Sequence, residues 1–120
     1  MKKTHQAKVL VISCIDFRFI TIIRNYLIDQ GLGGKYDLIT LPGASLNLED
    51  ATSSIATSIT LHNPDEIYIF DHEDCGAYGE DNSNEKHVEN LDKAKKYLSN
   101  KYPGRLIKVF IAYFNEIKEI

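Results

Sequence analysis

The chain has only two cysteines, three prolines and no apolar run approaching the ~18 residues that a membrane-spanning helix needs. It has no internal repeat, linker or low-complexity tract, so nothing argues for more than one unit, and the expectation is a single domain over residues 1–120. It also lacks an excess of either charge. Its 14 basic residues stand against 17 acidic ones, interspersed, for a net charge of −3. That balance excludes the basic stripe of a nucleic-acid binder, and the Lys2-Lys3 and Lys95-Lys96 pairs read as solvated surface. The first eight residues carry the charge of a signal n-region, but the apolar stretch behind them, Val9 to Ile12, is short for an h-region. The expected location is cytoplasmic, with no membrane partner. In that reducing compartment two cysteines point to ligands or catalytic groups rather than to a disulfide.

What is present is a 43% hydrophobic chain, enough for one core. A chain of this length buries somewhat under ~70% of its unfolded surface, so association with a second copy would help it. The run Lys8–Cys14 is continuous, apolar and β-branched, the pattern of a strand covered on both faces. Phe19, Ile20, Ile23, Tyr26 and Leu27 form a helical stripe that stops at the glycines 31, 33 and 34. A second strand is expected over Tyr36–Leu41. A second helix is expected to run from an Asn47 N-cap to His62, with Leu48, Ala51, Ile55 and Ile59 on one face. Glu66–Phe70 reads as a third strand, Glu73–Lys86 as a loop, and Val88, Leu91 and Leu98 as the apolar stripe of a third helix. Leu106–Tyr113 reads as a fourth strand, long, apolar and at a sheet edge that invites a partner. This alternation predicts an α/β fold: a mainly parallel four-stranded sheet, order 2-1-3-4, with helices on both faces.

Ligands of open α/β sheets bind beyond the carboxyl ends of the strands. Those ends hold the unusual residues: Cys14-Ile15-Asp16-Phe17-Arg18, then Leu41-Pro42-Gly43-Ala44-Ser45, then Asp71-His72-Glu73-Asp74-Cys75-Gly76. A His-x-x-Cys pair can reach one ion from a single turn, and Cys14 from the adjacent strand completes a Cys₂His set. Two thiolates and an imidazole suit zinc, and three protein ligands leave the exchangeable position of a catalytic site. Asp16 and Arg18, two residues apart, form a pair in which arginine holds the carboxylate bidentately and keeps it ionised.

Cys14-x-Asp16-x-Arg18 followed, at a separation of 58 positions from Cys14 to His72, by His72-x-Asp74-Cys75-Gly76 resembles the paired motif of the β-class carbonic anhydrases. The resemblance spans roughly residues 8–80 and implies a short member of that family. It implies that Cys14, His72 and Cys75 bind Zn²⁺ and that Asp16 and Arg18 form the catalytic dyad. In some members the aspartate swings onto the metal and closes the site. The implied reaction is reversible hydration of carbon dioxide to bicarbonate by a zinc-bound hydroxide, a lyase activity, in a homodimer or higher homo-oligomer. The family's Arg-x-Ala-Gly-like segment is replaced here by Leu41–Ser45, without the arginine. The family's N-terminal helical arm and much of its C-terminal region have no counterpart in the sequence. Phe17, Ala44 and Tyr78 are candidate apolar walls or ordinary packing, and His87 is a proton shuttle or, by preference, a solvent-exposed histidine. Other readings stay open: a zinc protein of this type without carbon dioxide turnover, a related hydrolase of CS₂ or COS, and a thiol redox protein. The last is the weakest, because Cys14 and Cys75 lack Cys-x-x-Cys spacing.

Overall fold

A computed structural model describes residues 5–120, so the Lys2-Lys3 pair lies outside the described residues. Five strands form one sheet in the order β2-β1-β3-β4-β5. They are β1 (Val9–Ser13), β2 (Tyr36–Thr40), β3 (Glu66–His72), β4 (Leu106–Ala112) and β5 (Ile117–Glu119). The first four are parallel, as the β-α-β-α-β-α-β pattern requires, with Ser13 registered against both Thr40 and Phe70. The helices are α1 (Phe17–Asp29), α2 (Thr52–His62) and α3 (Asn84–Lys101).

Because side chains alternate across a strand, the apolar strands feed two cores. Val9, Val11, Phe70 and Phe110 pack against Phe19, Ile23 and Leu27 of α1. Leu10, Ile12, Ile69 and Val109 pack on the opposite face against Ile55 of α2 and Leu91, Ala94 and Leu98 of α3. The Lys95-Lys96 pair is exposed, as expected.

Four expectations need correction. The fourth strand is not a bare edge: the chain turns at residues 113–116 and β5 pairs antiparallel with it, Phe110 opposite Glu119 and Ala112 opposite Ile117. Asn47 does not cap a helix. Ala44–Ala51 is a 3-10 segment kinked at Asn47 (φ −119°, ψ 34°), whose amide donates to the Pro42 carbonyl at 2.8 Å, and α2 begins only at Thr52. The third strand runs two residues further than expected, so Asp71 and His72 belong to it. Helix α3 starts at Asn84, capped by the Ser83 hydroxyl accepting from the Lys86 amide at 3.1 Å.

Candidate metal centre

The parallel register brings the carboxyl ends of β1 and β3 side by side. Cys14 leaves β1, His72 ends β3, and a tight turn carries Cys75 back over both. A ligand atom from each lies within 4.8 Å of the other two, and all three residues are buried. The sulfurs are 3.9 Å apart and the cysteines are free. The sequence expectation for this trio therefore coincides with the packing.

The histidine is already in the form a metal needs. His72 Nδ1–H donates to the Glu73 carbonyl at 2.6 Å, which fixes the proton on that nitrogen and turns Nε2 toward the sulfurs. His72 is 1% exposed, and its ring stacks on Phe19 with centroids 4.3 Å apart. Nε2 has no hydrogen-bond partner and is the one such buried side-chain nitrogen or oxygen among the described residues. A buried imidazole nitrogen is rarely left unpaired. Two thiols and an unpaired imidazole nitrogen facing one another are the donor set of a soft, tetrahedral ion, so the residues fit zinc.

The electrostatics of the trio place its thiolate on Cys14. The neighbouring Cys75 thiol lowers Cys14 well below the usual thiol range, burial opposing and His72 and the Gly43 amide assisting. Cys75 is pushed up, first by Cys14 and then by burial. Burial pulls His72 down, but the nearby Cys14 sulfur and the Glu73 carbonyl outweigh it and raise the imidazole. Gly43 N–H donates to Cys14 Sγ at 3.4 Å from a turn with φ +78°. A Cβ there would sit 3.1 Å from Leu46 Cβ and 3.3 Å from Ala77 Cβ, so only glycine keeps this amide close to the sulfur.

Asp16 and Arg18 are joined as expected. Asp16 caps α1, its Oδ1 accepting from the Arg18 amide at 2.9 Å. Arg18 Nε and Nη2 then donate to Oδ1 and Oδ2 at 3.0 and 2.7 Å. The Arg18 hydrogen bonds hold the Asp16 carboxyl down to about 2, against partial burial. Arg18 also reaches Asp74, Nη1 to Oδ2 and Nη2 to the carbonyl, both at 2.9 Å. Asp74 was legible as part of the motif but not as a partner of Arg18. It sits at φ +53°, a left-handed conformation that aspartate tolerates, and so aims its carbonyl at the guanidinium.

A cavity of about 690 Å³ opens over Cys14 and Cys75 and is also lined by Ile15, Asp16, Phe17, Arg18 and Asn82. Of the three proposed walls, Phe17 lines it and is 84% exposed. Ala44 is instead buried in the core, and the Tyr78 hydroxyl is turned away to Asp71 at 2.7 Å. His87 is not solvent-exposed. It is 2% exposed, with Nδ1 donating to Asp71 Oδ2 at 2.8 Å and Nε2 lying 2.8 Å from Asn82 Oδ1, so it has no free nitrogen to shuttle protons. Sequence reasoning missed the buried Asp71 as a hub, because it ended the third strand at Phe70, one residue short of it.

Comparison with known proteins agrees with the fold and with the family. A chain among two tetrameric β-carbonic anhydrases of the ascomycete Sordaria macrospora superposes with a TM-score of 0.68 at 15% identity, over 97% of this chain and 81% of that one. The β-carbonic anhydrase CafA of Aspergillus fumigatus gives 0.59 at 13% identity, over 97% and 76%. An uncharacterised protein of Rickettsia bellii is 32% identical over 92% of this chain and 79% of its own length. One of Rickettsia conorii is 30% identical over 99% and 74%. Residues 4–120 match the family model described as "Putative carbonic anhydrase", and the chain belongs to that family.

Proposed function

We propose that residues 1–120 act as one zinc-dependent unit that hydrates carbon dioxide reversibly to bicarbonate, with Cys14, His72 and Cys75 as metal ligands and Asp16 and Arg18 as the catalytic dyad. The observation that carries this reading is the unpartnered His72 Nε2, buried against two thiol sulfurs and 3.8 Å from Asp16 Oδ2. Zinc held there supplies a water acidified toward neutral pH, a nucleophile for carbon dioxide. Asp16 Oδ1 is filled by two hydrogen bonds from Arg18, whereas Oδ2 takes one and keeps a lone-pair direction that would accept a hydrogen bond from the attacking group, orienting that group's lone pair toward the substrate carbon. Arg18 keeps that carboxylate ionised and fixed by three hydrogen bonds, so that it stays beside the metal instead of turning onto it. Ile15 and Phe17 supply apolar wall for a small uncharged substrate.

The exposed Ile15 and Phe17 at the rim, together with exposed Leu38 and Leu61 by the open β2 edge, support assembly of two or more copies. No helix among the described residues is long and apolar enough to cross a membrane.

Stopped-flow carbon dioxide hydration, with metal content measured on the same sample, tests the reading. Turnover should rise in proportion to bound zinc. Fully zinc-loaded protein without turnover favours the non-catalytic alternative, and turnover confined to COS or CS₂ favours the related hydrolase.

A further inference from the structure

Asp71 and His72 are neighbours on β3, and because strand side chains alternate they face opposite sides of the sheet. His72 turns to the α1 side and stacks on Phe19. Asp71 turns to the α3 side and is 2% exposed. There it takes four hydrogen bonds. Ser45 N–H donates to Oδ1 at 3.1 Å, and the Ser45 hydroxyl, the Tyr78 hydroxyl and His87 Nδ1–H donate to Oδ2 at 2.8, 2.7 and 2.8 Å. Asn90 of α3 extends the set by donating to the Tyr78 hydroxyl at 3.2 Å.

The donors come from particular places. Ser45 lies two residues after Gly43, whose amide donates to Cys14 Sγ. Tyr78 lies three residues after Cys75, and its amide donates to the Cys75 carbonyl at 3.1 Å. One carboxylate thus ties the turn that serves the Cys14 sulfur, the turn that carries Cys75 and the strand that carries His72. Filling the space would need only an apolar side chain, whereas a buried carboxylate is costly unless its acceptors are satisfied. The arrangement makes geometric sense as a brace for the three ligands.

We propose that Asp71 is a positioning residue for the metal centre, acting through Ser45 and Tyr78 with His87 as its buried counterpart. The inference rests on the metal-centre reading above. Its distinguishing consequence is that breaking the brace disturbs metal geometry and not merely stability, since partners behind the ligands typically contribute about 10–100-fold to metal affinity.

The full chain is stripped of metal and titrated with Zn²⁺ against a chromophoric chelator, then with Co²⁺ while the thiolate-to-cobalt charge-transfer band is recorded. Asp71→Ala should weaken zinc about 10–100-fold and shift the cobalt band. Ser45→Ala should move both in the same direction by a smaller factor, and Ser45→Thr, which keeps the hydroxyl, should restore them. Ser58→Ala is the control. It removes a hydroxyl bond of the same kind, to Asp37 Oδ2 at 2.7 Å and away from the metal site, and should lower thermal stability without moving either metal readout. If Asp71→Ala does not fold, the Ser45 pair decides. Wild-type affinity and band in Ser45→Ala overturn the proposal, as does an equal effect of Ser58→Ala. A wild type that takes up neither metal overturns the metal-centre reading and this proposal together, whereas a wild type that binds both, with unmoved variants, overturns this proposal alone.

Discussion

Asp16 Oδ2 lies 3.8 Å from His72 Nε2, while Arg18 Nη2 grips that same oxygen at 2.7 Å. The carboxylate is near enough to the candidate metal position to become a ligand and is held back from it by arginine. Asp16→Asn should keep zinc and lose most carbon dioxide hydration, because the amide accepts a proton poorly. Hydrogen bonds to charged groups are worth about 1.5–3 kcal/mol, so the loss should be about tenfold or more. Hydration rate per bound zinc checks this, and an unchanged rate would remove Asp16 from the chemistry.

Arg18→Ala should behave differently from Asp16→Asn. Arg18 bonds to Asp74 as well as Asp16, so it joins the segment after Cys14 to the turn before Cys75. Its loss should lower zinc affinity as well as turnover, and Arg18→Lys should rescue little, because an ammonium cannot make the two-pronged contact. Chelator competition across the three variants separates the roles. Equal affinity in Arg18→Ala and wild type would deny the tie.

Metal uptake should release protons. In the metal-free protein Cys14 is already lowered toward thiolate, Cys75 is raised and keeps its proton, and His72 is raised above its ordinary value. Between about one and two protons per zinc should therefore leave near neutral pH, one from Cys75 and a fraction from His72 that shrinks as pH rises. Apparent affinity should fall as pH falls. Calorimetry in buffers of different ionisation enthalpy counts the protons, and a count near zero would contradict the assignment of Cys75 as a ligand.

Acid stability should report the dyad. Asp16 is depressed from 3.8 to about 2 by Arg18, so its contribution is fully present above pH ~4 and is lost as pH falls toward 2. Arg18 is about a third exposed, and after discounting for solvent screening the contribution is on the order of 1 kcal/mol. Arg18→Ala should move the acid-unfolding midpoint, followed by circular dichroism, to higher pH. An unmoved midpoint would mean that the pair adds nothing to the fold.

The site was readable where its signals are local. Cys14, Asp16, Arg18, His72 and Cys75 lie in two short motifs at strand ends, and the strand order that joins them follows from the β-α alternation. Two of the departures from expectation have longer-range causes. Strand β5 is three residues long, too short for a periodic pattern, and exists because β4 offers it an edge. His87 is polar and follows a polar loop, which reads as surface. Its burial comes from α3 packing on the sheet and from Asp71, 16 residues earlier. A local signal did exist, since Ser83 is an N-cap residue that would have placed His87 inside the first turns of the helix.

Everything proposed for the site depends on Cys14, His72 and Cys75 together holding one zinc ion. X-ray absorption at the zinc edge, on protein reconstituted with one equivalent of zinc, tests it most directly. Two sulfur neighbours at about 2.3 Å, one imidazole nitrogen at about 2.0–2.1 Å and one further light atom are expected. A shell without two sulfurs, or zinc-supplied protein that carries a Cys14–Cys75 disulfide and no metal, would contradict it.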